Sequence, residues 1–315
     1  MVLNYNGRAL MEKYLPSLEA AAKASRNICR LGVIDNQSAD DSVAWLKRHY
    51  PGAALYVSPE NKVLCAYNDV AAQVDDDVLI FMNNDIRVHP DFVDALVSVF
   101  AERKDVFCAS PRCLSMQSGE YEGGKARAEI RRGVFSATAF FKGYEEGAER
   151  PGLTFQAGFG AFDRKKFLAL GGYDDLYLPG RLEDADICLR AYRRGWVCVY
   201  EPKSIVWHEG GVSFKKYFGQ SGTLVINWRN TFLFMWKNLD DRTNFFVFPL
   251  WLPLRFFYAL CKGRPEEPIG FLKALPLFKK AREKRKKEGP NKNIPGLSDA
   301  QIFERSAAVG RETAA

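Results

Sequence analysis

The chain has no apolar stretch long enough to span a bilayer as a helix. Residues 245–260 (F-F-V-F-P-L-W-L-P-L-R-F-F-Y-A-L) are almost wholly apolar, but they fall short of the roughly 18–20 residues such a helix needs and contain Pro249, Pro253 and Arg255. No C-x-x-C pair occurs among the seven cysteines (29, 65, 108, 113, 188, 198 and 261), and several of them sit inside apolar runs. Their odd number and scatter indicate reduced core thiols in a cytosolic compartment rather than a disulfide framework. No signal peptide is visible, since Met1 leads straight into what reads as a short strand, Val2-Leu3, which either begins abruptly or lacks upstream residues. An even spread of positive charge is missing too. The net charge of +7 owes much to residues 279–292 (K-K-A-R-E-K-R-K-K-E-G-P-N-K), while Asp75-Asp76-Asp77 and Asp174-Asp175 oppose it elsewhere. A local anionic surface such as membrane lipid fits that pattern better than nucleic acid does.

What is present is an alternation of strands and helices. At 315 residues the chain is long enough for two domains, or for one large α/β domain with an extension, and 47% hydrophobic residues supply a sizeable core. Residues 29–35, 53–57, 78–82 and 106–109 read as strands. Helical patterns follow at 64–74 and from Pro90, where Val93, Leu96, Val97 and Phe100 share a face at i, i+3, i+4, i+7. Ser38 can cap a further helix, with Asp41 three residues on. This order predicts a mostly parallel sheet with helices on both faces. Residues 115–152 break the alternation and read as a mobile excursion with one β-like run at 134–141. Order returns at 155–162 (F-Q-A-G-F-G-A-F), where glycines between aromatics permit close backbone approach. A helix over 183–194 carries Glu183 and Asp184 in its first turn, with Asp186 and Arg190 paired at i, i+4. Two short β segments follow at 197–200 and 204–208.

Residues 78–82 form an unbroken apolar run that ends at Asn83-Asn84-Asp85. A carboxylate flanked by amides at the carboxyl end of a central parallel strand suits a hard divalent cation and its phosphates. The same triplet also reads as a plain polar turn, and Glu183-Asp184 as a plain complement to a helix dipole. Polar residues at other strand ends (Asn6, Asp35 and His208) give both sets a common edge. Such parts serve glycosyl transfer from a nucleotide sugar, which needs a base-reading group, a cation on the diphosphate and a general base for the acceptor hydroxyl.

The segments N-Y-N-G (4–7), V-I-D-N-Q-S-A-D-D-S (33–42), E-N (60–61), F-M-N-N-D (81–85), F-G-A-F-D-R (159–164), G-G-Y-D (171–174), E-D-A-D-I-C-L-R (183–190), G-W (195–196) and His208 occur in one order over residues 1 to about 212. Together they make the chain resemble the family 2 glycosyltransferases of GT-A fold, particularly the bacterial rhamnosyltransferase-like branch. The resemblance implies that Asn4, Tyr5 and Asn6 lie near the nucleoside, that Asp35 contacts the base, and that Asn61 and Asn83 line the nucleotide side. It makes Asp85 the main protein ligand of a Mg²⁺ or Mn²⁺ ion, with His208 completing the metal or diphosphate site. It makes Asp184 the catalytic base, with Glu183 beside it and Asp186 as the alternative base or an acceptor ligand. Adjacent carboxylates repel, which raises the proton affinity of one. The departure is at Val63-Leu64, where the family usually has glycine and small residues.

The implied enzyme is an inverting hexosyltransferase that moves a sugar from dTDP-rhamnose or a UDP-sugar to a cell-surface glycan or lipid-linked oligosaccharide. The expected organisation is a GT-A domain at 1–212, an aromatic and basic helical extension at 213–288 that associates with a membrane, and a disordered tail at 289–315. Residues 245–260 would lie in the interface at the cytoplasmic face, or else dock on the catalytic domain or a partner. Two rivals remain. A nucleotidyltransferase would carry a glycine-rich basic loop after its first strand, and residues 4–8 are not one. A membrane-associated glycan-binding or scaffold protein with an inactive transferase domain would have no use for the intact acidic set.

Overall fold

The computed structural model describes residues 1–210, 212–240, 242–288 and 298–307. Its centre is a parallel half-sheet built from β1 (Val2–Asn4), β2 (Gly32–Asp35), β3 (Ala54–Val57) and β4 (Val78–Asn83), in the spatial order β3-β2-β1-β4. The connecting helices are α1 (Arg8–Ala24), α2 (Ser42–His49) and α3 (Ala66–Ala71). The short first strand is therefore not at an edge. It is flanked on both sides, with Asn4 in register with Asp35 and Leu3 with Asn83, so three polar side chains finish their strands together. The helix expected over 64–74 is shorter, because Val63–Cys65 forms a 3₁₀ turn first.

After β4 come β5 (Ile86–Val88), α4 (Phe92–Glu102) and the long β6 (Val106–Ser115). The excursion holds β7 (Tyr121–Gly123), β8 (Arg127–Arg131), β9 (Val134–Thr138), α5 (Tyr144–Gly147) and β10 (Gly152–Leu153). The β-like run ends at Thr138, and β9 pairs with β8 in a separate two-stranded sheet. β11 (Gly160–Asp163) then inserts antiparallel between β4 and β6. Gly160 permits this: at φ +131° a Cβ there would come within 2.3 Å of the Ala109 carbonyl oxygen. α6 (Arg164–Ala169) and α7 (Glu183–Tyr192) lead to β12 (Val197–His208). β12 is one strand rather than two segments, parallel to β6 with a register break between Glu201 and Ile205. At its end His208 lies opposite Ile86, next to Asp85.

The C-terminal region consists of α8 (Val212–Asn238), α9 (Phe248–Cys261), α10 (Glu266–Ala274), α11 (Phe278–Glu288) and α12 (Asp299–Ala307). Phe232, Leu233, Phe234 and Met235 of α8 are fully buried, so this helix is part of the core. The expected disordered tail is corrected in part: α12 is ordered and packs against β8, with Ile302 fully buried, while 289–297 and 308–315 lie outside the described residues. An apolar Ile302-Phe303 pair flanked by charge provides the helix with a face to bury. The basic run is corrected as well, since Lys284 pairs with Asp174 at 2.6 Å and Asp175 at 2.7 Å, and Lys280 with Asp175 at 3.1 Å. Those two lysines are paired with acids outside the extension, Lys284 more deeply than the half-exposed Lys280. α9 differs from its neighbours, with Leu250, Leu254, Phe257, Tyr258 and Leu260 all exposed. Among the described residues no helix is long and apolar enough to cross a membrane.

A buried charge cluster ties these helices to the sheet domain. Lys237 Nζ lies 2.5 Å from Asp174 Oδ2 and 2.9 Å from Asp186 Oδ1. Asp186 also accepts from Tyr177 Oη (2.8 Å), Arg190 Nε (2.7 Å) and Asn238 Nδ2 (2.7 Å). Burial alone would raise the affinity of Asp174 and Asp186 for protons, but Lys237 outweighs it, and both carboxyls are held below their usual range. The stability they contribute is thus present above the unfolded carboxylate range, near pH 4, and is lost as pH falls through their depressed folded-state values. Lys237→Met should lower unfolding free energy by about 3–5 kcal/mol by removing the buried cation that the two carboxylates share, leaving Asp174 with Lys284 and Asp186 with Arg190. The check is the urea midpoint at pH 7, and an unchanged midpoint would refute the role of the cluster.

Candidate active site

The carboxyl edge of the parallel half-sheet is cross-linked by its own amides. Asn4 is fully buried and donates from Nδ2 to Asp35 Oδ1 and to Ser38 Oγ, both at 3.1 Å. Its Oδ1 accepts from Asn84 Nδ2 at 2.8 Å. Asp35 Oδ2 accepts the Ser38 amide at 2.9 Å. Gly7 makes room for this contact, since a Cβ there would lie 2.0 Å from Asn84 Nδ2. Asn4 therefore bears on the surface through Asp35 and Asn84. Tyr5, 38% exposed, and Asn6, at φ +49°, do reach the surface, and the Tyr5 ring lies 6.1 Å from that of Tyr217.

Asn61 is exposed, and its Oδ1 accepts the Val63 amide at 3.0 Å. Val63, the residue that stands where glycine was expected, has φ +49°. A β-branched residue rarely occupies that region. It is held there from both sides, by Asn61 and by Asn36 Nδ2 on its carbonyl at 3.2 Å. The chain thus keeps the backbone conformation that glycine adopts freely, at the cost of local strain.

At the end of β4, Asn83 is half-buried and Asp85 is 13% exposed at its side chain. Asp85 Oδ2 lies 3.3 Å from His208 Nε2, and Asp85 Oδ1 is buried without a hydrogen-bond partner. His208 Nδ1 lies 3.2 Å from Glu122 Oε2. Burial disfavours the imidazolium, but Asp85 and Glu122 outweigh it and raise the pKa. This donor set fits a divalent cation. It offers a bare carboxylate oxygen and an imidazole nitrogen, with a second carboxylate orienting the ring from behind. Glu122 escapes sequence reasoning because it sits in the aperiodic excursion, and only the pairing of β7 with β6 brings it to His208.

The second acidic centre opens α7. Glu183 is 8% exposed, Asp184 is half-buried, and a Cβ on Gly158 would lie 4.0 Å from Asp184 Oδ2. Phe159, the next residue, places its ring 6.5 Å from His208. One short segment before β11 therefore touches both acidic centres. Glu183 Oε2 is buried without a partner, and burial followed by the charge of Asp184 pushes the carboxyl up to about 8. Burial also raises Asp184. The two adjacent carboxyls titrate as a pair, and their environment favours a proton held between them. Asp186 is corrected here. It is sealed in the cluster beneath α7 with both oxygens bonded, so it offers no oxygen to an acceptor.

Residues 177–182 approach the pair through a loop with Arg181 and Leu182 at φ +79° and +71°. Fully buried Asn230 of α8 holds that loop, donating to the carbonyls of Tyr177 (2.6 Å), Gly180 (2.7 Å) and Arg181 (3.0 Å). Arg229 donates to the Leu178 carbonyl. The sequence signal was an amide just ahead of the apolar run 232–236, which nothing local connects to residue 183.

The fold is that of the GT-A glycosyltransferases. GalNAc-T7, solved with UDP, GalNAc and Mn²⁺, matches 97% of this chain at TM-score 0.62 and 17% identity; the chain spans 55% of that protein, about half its length. The mannosyltransferase PcManGT from Pyrobaculum calidifontis, solved with GDP-Man and Mn²⁺, matches 97% of this chain and 84% of its own at TM-score 0.55 and 13% identity. The profile of glycosyl transferase family 2 matches residues 1–170, and the chain belongs to that family. It is a glycosyltransferase. N-acetylglucosaminyl-diphospho-decaprenol L-rhamnosyltransferase from Mycobacterium tuberculosis is 22% identical over 284 residues, 82% of this chain and 90% of that protein.

Asn230→Ala should lower kcat at least tenfold through the displaced carboxylate pair while leaving nucleotide affinity unchanged. It should also cost about 1–3 kcal/mol for the carbonyls left unsatisfied. Steady-state kinetics with calorimetric nucleotide titration test both, and a parallel loss of nucleotide affinity would contradict the positioning role.

Proposed function

We propose that the protein transfers a sugar, with inversion, from a nucleoside diphosphate donor to a hydroxyl of a lipid-linked or cell-surface glycan. dTDP-rhamnose is the first donor to test and UDP-sugars the second. The observation that carries this reading is the pairing of two acidic centres across Gly158-Phe159: Asp184 on one side, and Asp85 with His208 on the other. A relative whose name includes L-rhamnosyl transfer to a diphospho-decaprenol acceptor supports the choice of donor and acceptor. Neighbours solved with Mn²⁺ and nucleotide ligands support a Mg²⁺ or Mn²⁺ requirement.

Asp35, Tyr5, Asn6, Asn61 and Asn83 line the nucleotide side of the cleft in this reading. Asp85 and His208 would hold the cation. A divalent ion bound there supplies Lewis-acid stabilisation of the diphosphate as it leaves. Asp184 takes the acceptor hydroxyl proton as the oxygen attacks the anomeric carbon from the face opposite the departing diphosphate. Glu183 beside it raises the proton affinity of the pair, which suits a base working near neutrality. The apolar face of α9 rests against the cytoplasmic surface of a membrane, with the exposed lysines of α11 beside it.

Asp184→Asn should lower kcat about 10²- to 10⁴-fold while nucleotide binding persists. Glu183→Gln, which mimics the neutral carboxyl, should retain activity within about tenfold by the same scale. The reverse ranking in a donor-consumption assay would exchange their roles. Asp85→Ala should abolish the Mn²⁺ dependence of nucleotide affinity, measured by isothermal titration; an unchanged dependence would count against the cation site.

A further inference from the structure

A cavity of about 520 Å³ opens beside the carboxylate pair, between the hairpin of β8 and β9, helix α8 and helix α9. Leu182, the residue before Glu183, forms one wall, so the cavity adjoins the end of α7 at which the pair stands. Three guanidinium groups line it, from Arg131, Arg132 and Arg255, and no carboxylate does among the described residues. Arg131 and Arg132 are exposed, and their side chains make no hydrogen bond or ion pair among the described residues. Arg255 is fixed, its Nε 2.6 Å from Glu267 Oε1 behind it and its guanidinium 5.3 Å from the Trp228 ring centre.

The hairpin that presents the first two arginines is set rigidly. Arg131 pairs with Val134, leaving a two-residue turn of Arg132 (φ +49°) and Gly133 (φ +76°). Both left-handed conformations match the turn that suits the twist of a hairpin. Gly133 is pressed on α9: a Cβ there would meet Trp251 Cδ1 at 2.9 Å. The arginines and the exposed face of α9 are therefore one continuous surface. Along that face Leu250, Leu254 and Phe257 recur at i, i+4, i+7 and stand 75%, 64% and 70% exposed.

Arg131 and Arg132 carry no counter-charge among the described residues, while Arg255 keeps one in Glu267, so the first two call for an anion, and guanidinium geometry matches phosphate oxygens two at a time. The exposed apolar row of Leu250, Leu254 and Phe257, on the helix that also brings Arg255 to the cavity, calls for a long apolar chain. We propose that this cavity is the acceptor anchor, holding the diphosphate of an isoprenoid-linked sugar. The sugar then points past Leu182 towards Asp184, and the isoprenoid lies along Leu250, Leu254 and Phe257. This assignment rests on the glycosyl-transfer reading for its direction, but its ligand chemistry follows from the cavity alone.

Isothermal titration in EDTA, where no cation can hold phosphate at Asp85, tests the assignment with farnesyl diphosphate, inorganic pyrophosphate and farnesol. Farnesyl diphosphate should bind at least tenfold more tightly than either of the others. Arg131→Gln with Arg132→Gln should weaken it at least tenfold, about 1.4 kcal/mol, and leave farnesol affinity unchanged. Leu254→Ser with Phe257→Ser should weaken farnesyl diphosphate but not pyrophosphate. Both arginines are exposed and outside the core, so the variant keeps its fold. Equal affinity of wild type and the arginine variant for farnesyl diphosphate would overturn the anchor. Pyrophosphate binding as tightly as farnesyl diphosphate would overturn the lipid half. Asp184→Asn should bind farnesyl diphosphate like wild type, so an error in the base assignment would not show here.

Discussion

Asp186 and Asp174 are buried beside Lys237, and the placement of the carboxylate pair depends on that contact. Lys237 comes from the last turn of α8, Asp186 from the first turns of α7, and Asp174 from the loop between α6 and α7. Such a cluster repays the desolvation of its charges only when every partner is present. The helices after residue 212 are thus a condition of the site. With α8 pinned at its end, Asn230 and Arg229 meet the 177–182 loop and set the direction from which α7 begins.

Within four residues, the same structure treats carboxylates in opposite ways. Asp186 is neutralised by two cations, an amide and a phenol, and is silent. Glu183 and Asp184 have little compensation, and burial raises both. Tertiary contacts separate them, because Lys237 and Asn238 of α8 reach Asp186, while Glu183 Oε2 is buried without a partner. Asp85 repeats the contrast within a single side chain, one oxygen beside an imidazole and the other buried without a partner. Uncompensated acidity is what cation binding and proton transfer require.

The extension divides by burial. α8, α10, α11 and α12 contribute side chains to the core or to ion pairs, whereas α9 turns an apolar face outward. Proline punctuation at 249 and 253 did not prevent a helix there. That run is the apolar part of the extension left exposed. Of the lysine run, Lys280 and Lys284 are bound by Asp174 and Asp175.

Alternation of apolar runs with capped amphipathic segments was enough to foresee the parallel half-sheet, since side-chain periodicity is a local property. The same holds for polar residues at strand ends, which is why Asn4, Asp35, Asn83 and Asp85 were recognisable from order and spacing. Tertiary structure alone decided the rest. β11 entered antiparallel because Gly160 lets its backbone approach Ala109, a contact no window of sequence contains. Glu122 reached His208 through a strand pairing, Asp186 left the cleft because Lys237 lies 51 residues away in sequence yet 2.9 Å away in space, and three arginines gathered around one cavity. Charges acquire their roles from neighbours brought together by folding, and those neighbours are distant along the chain.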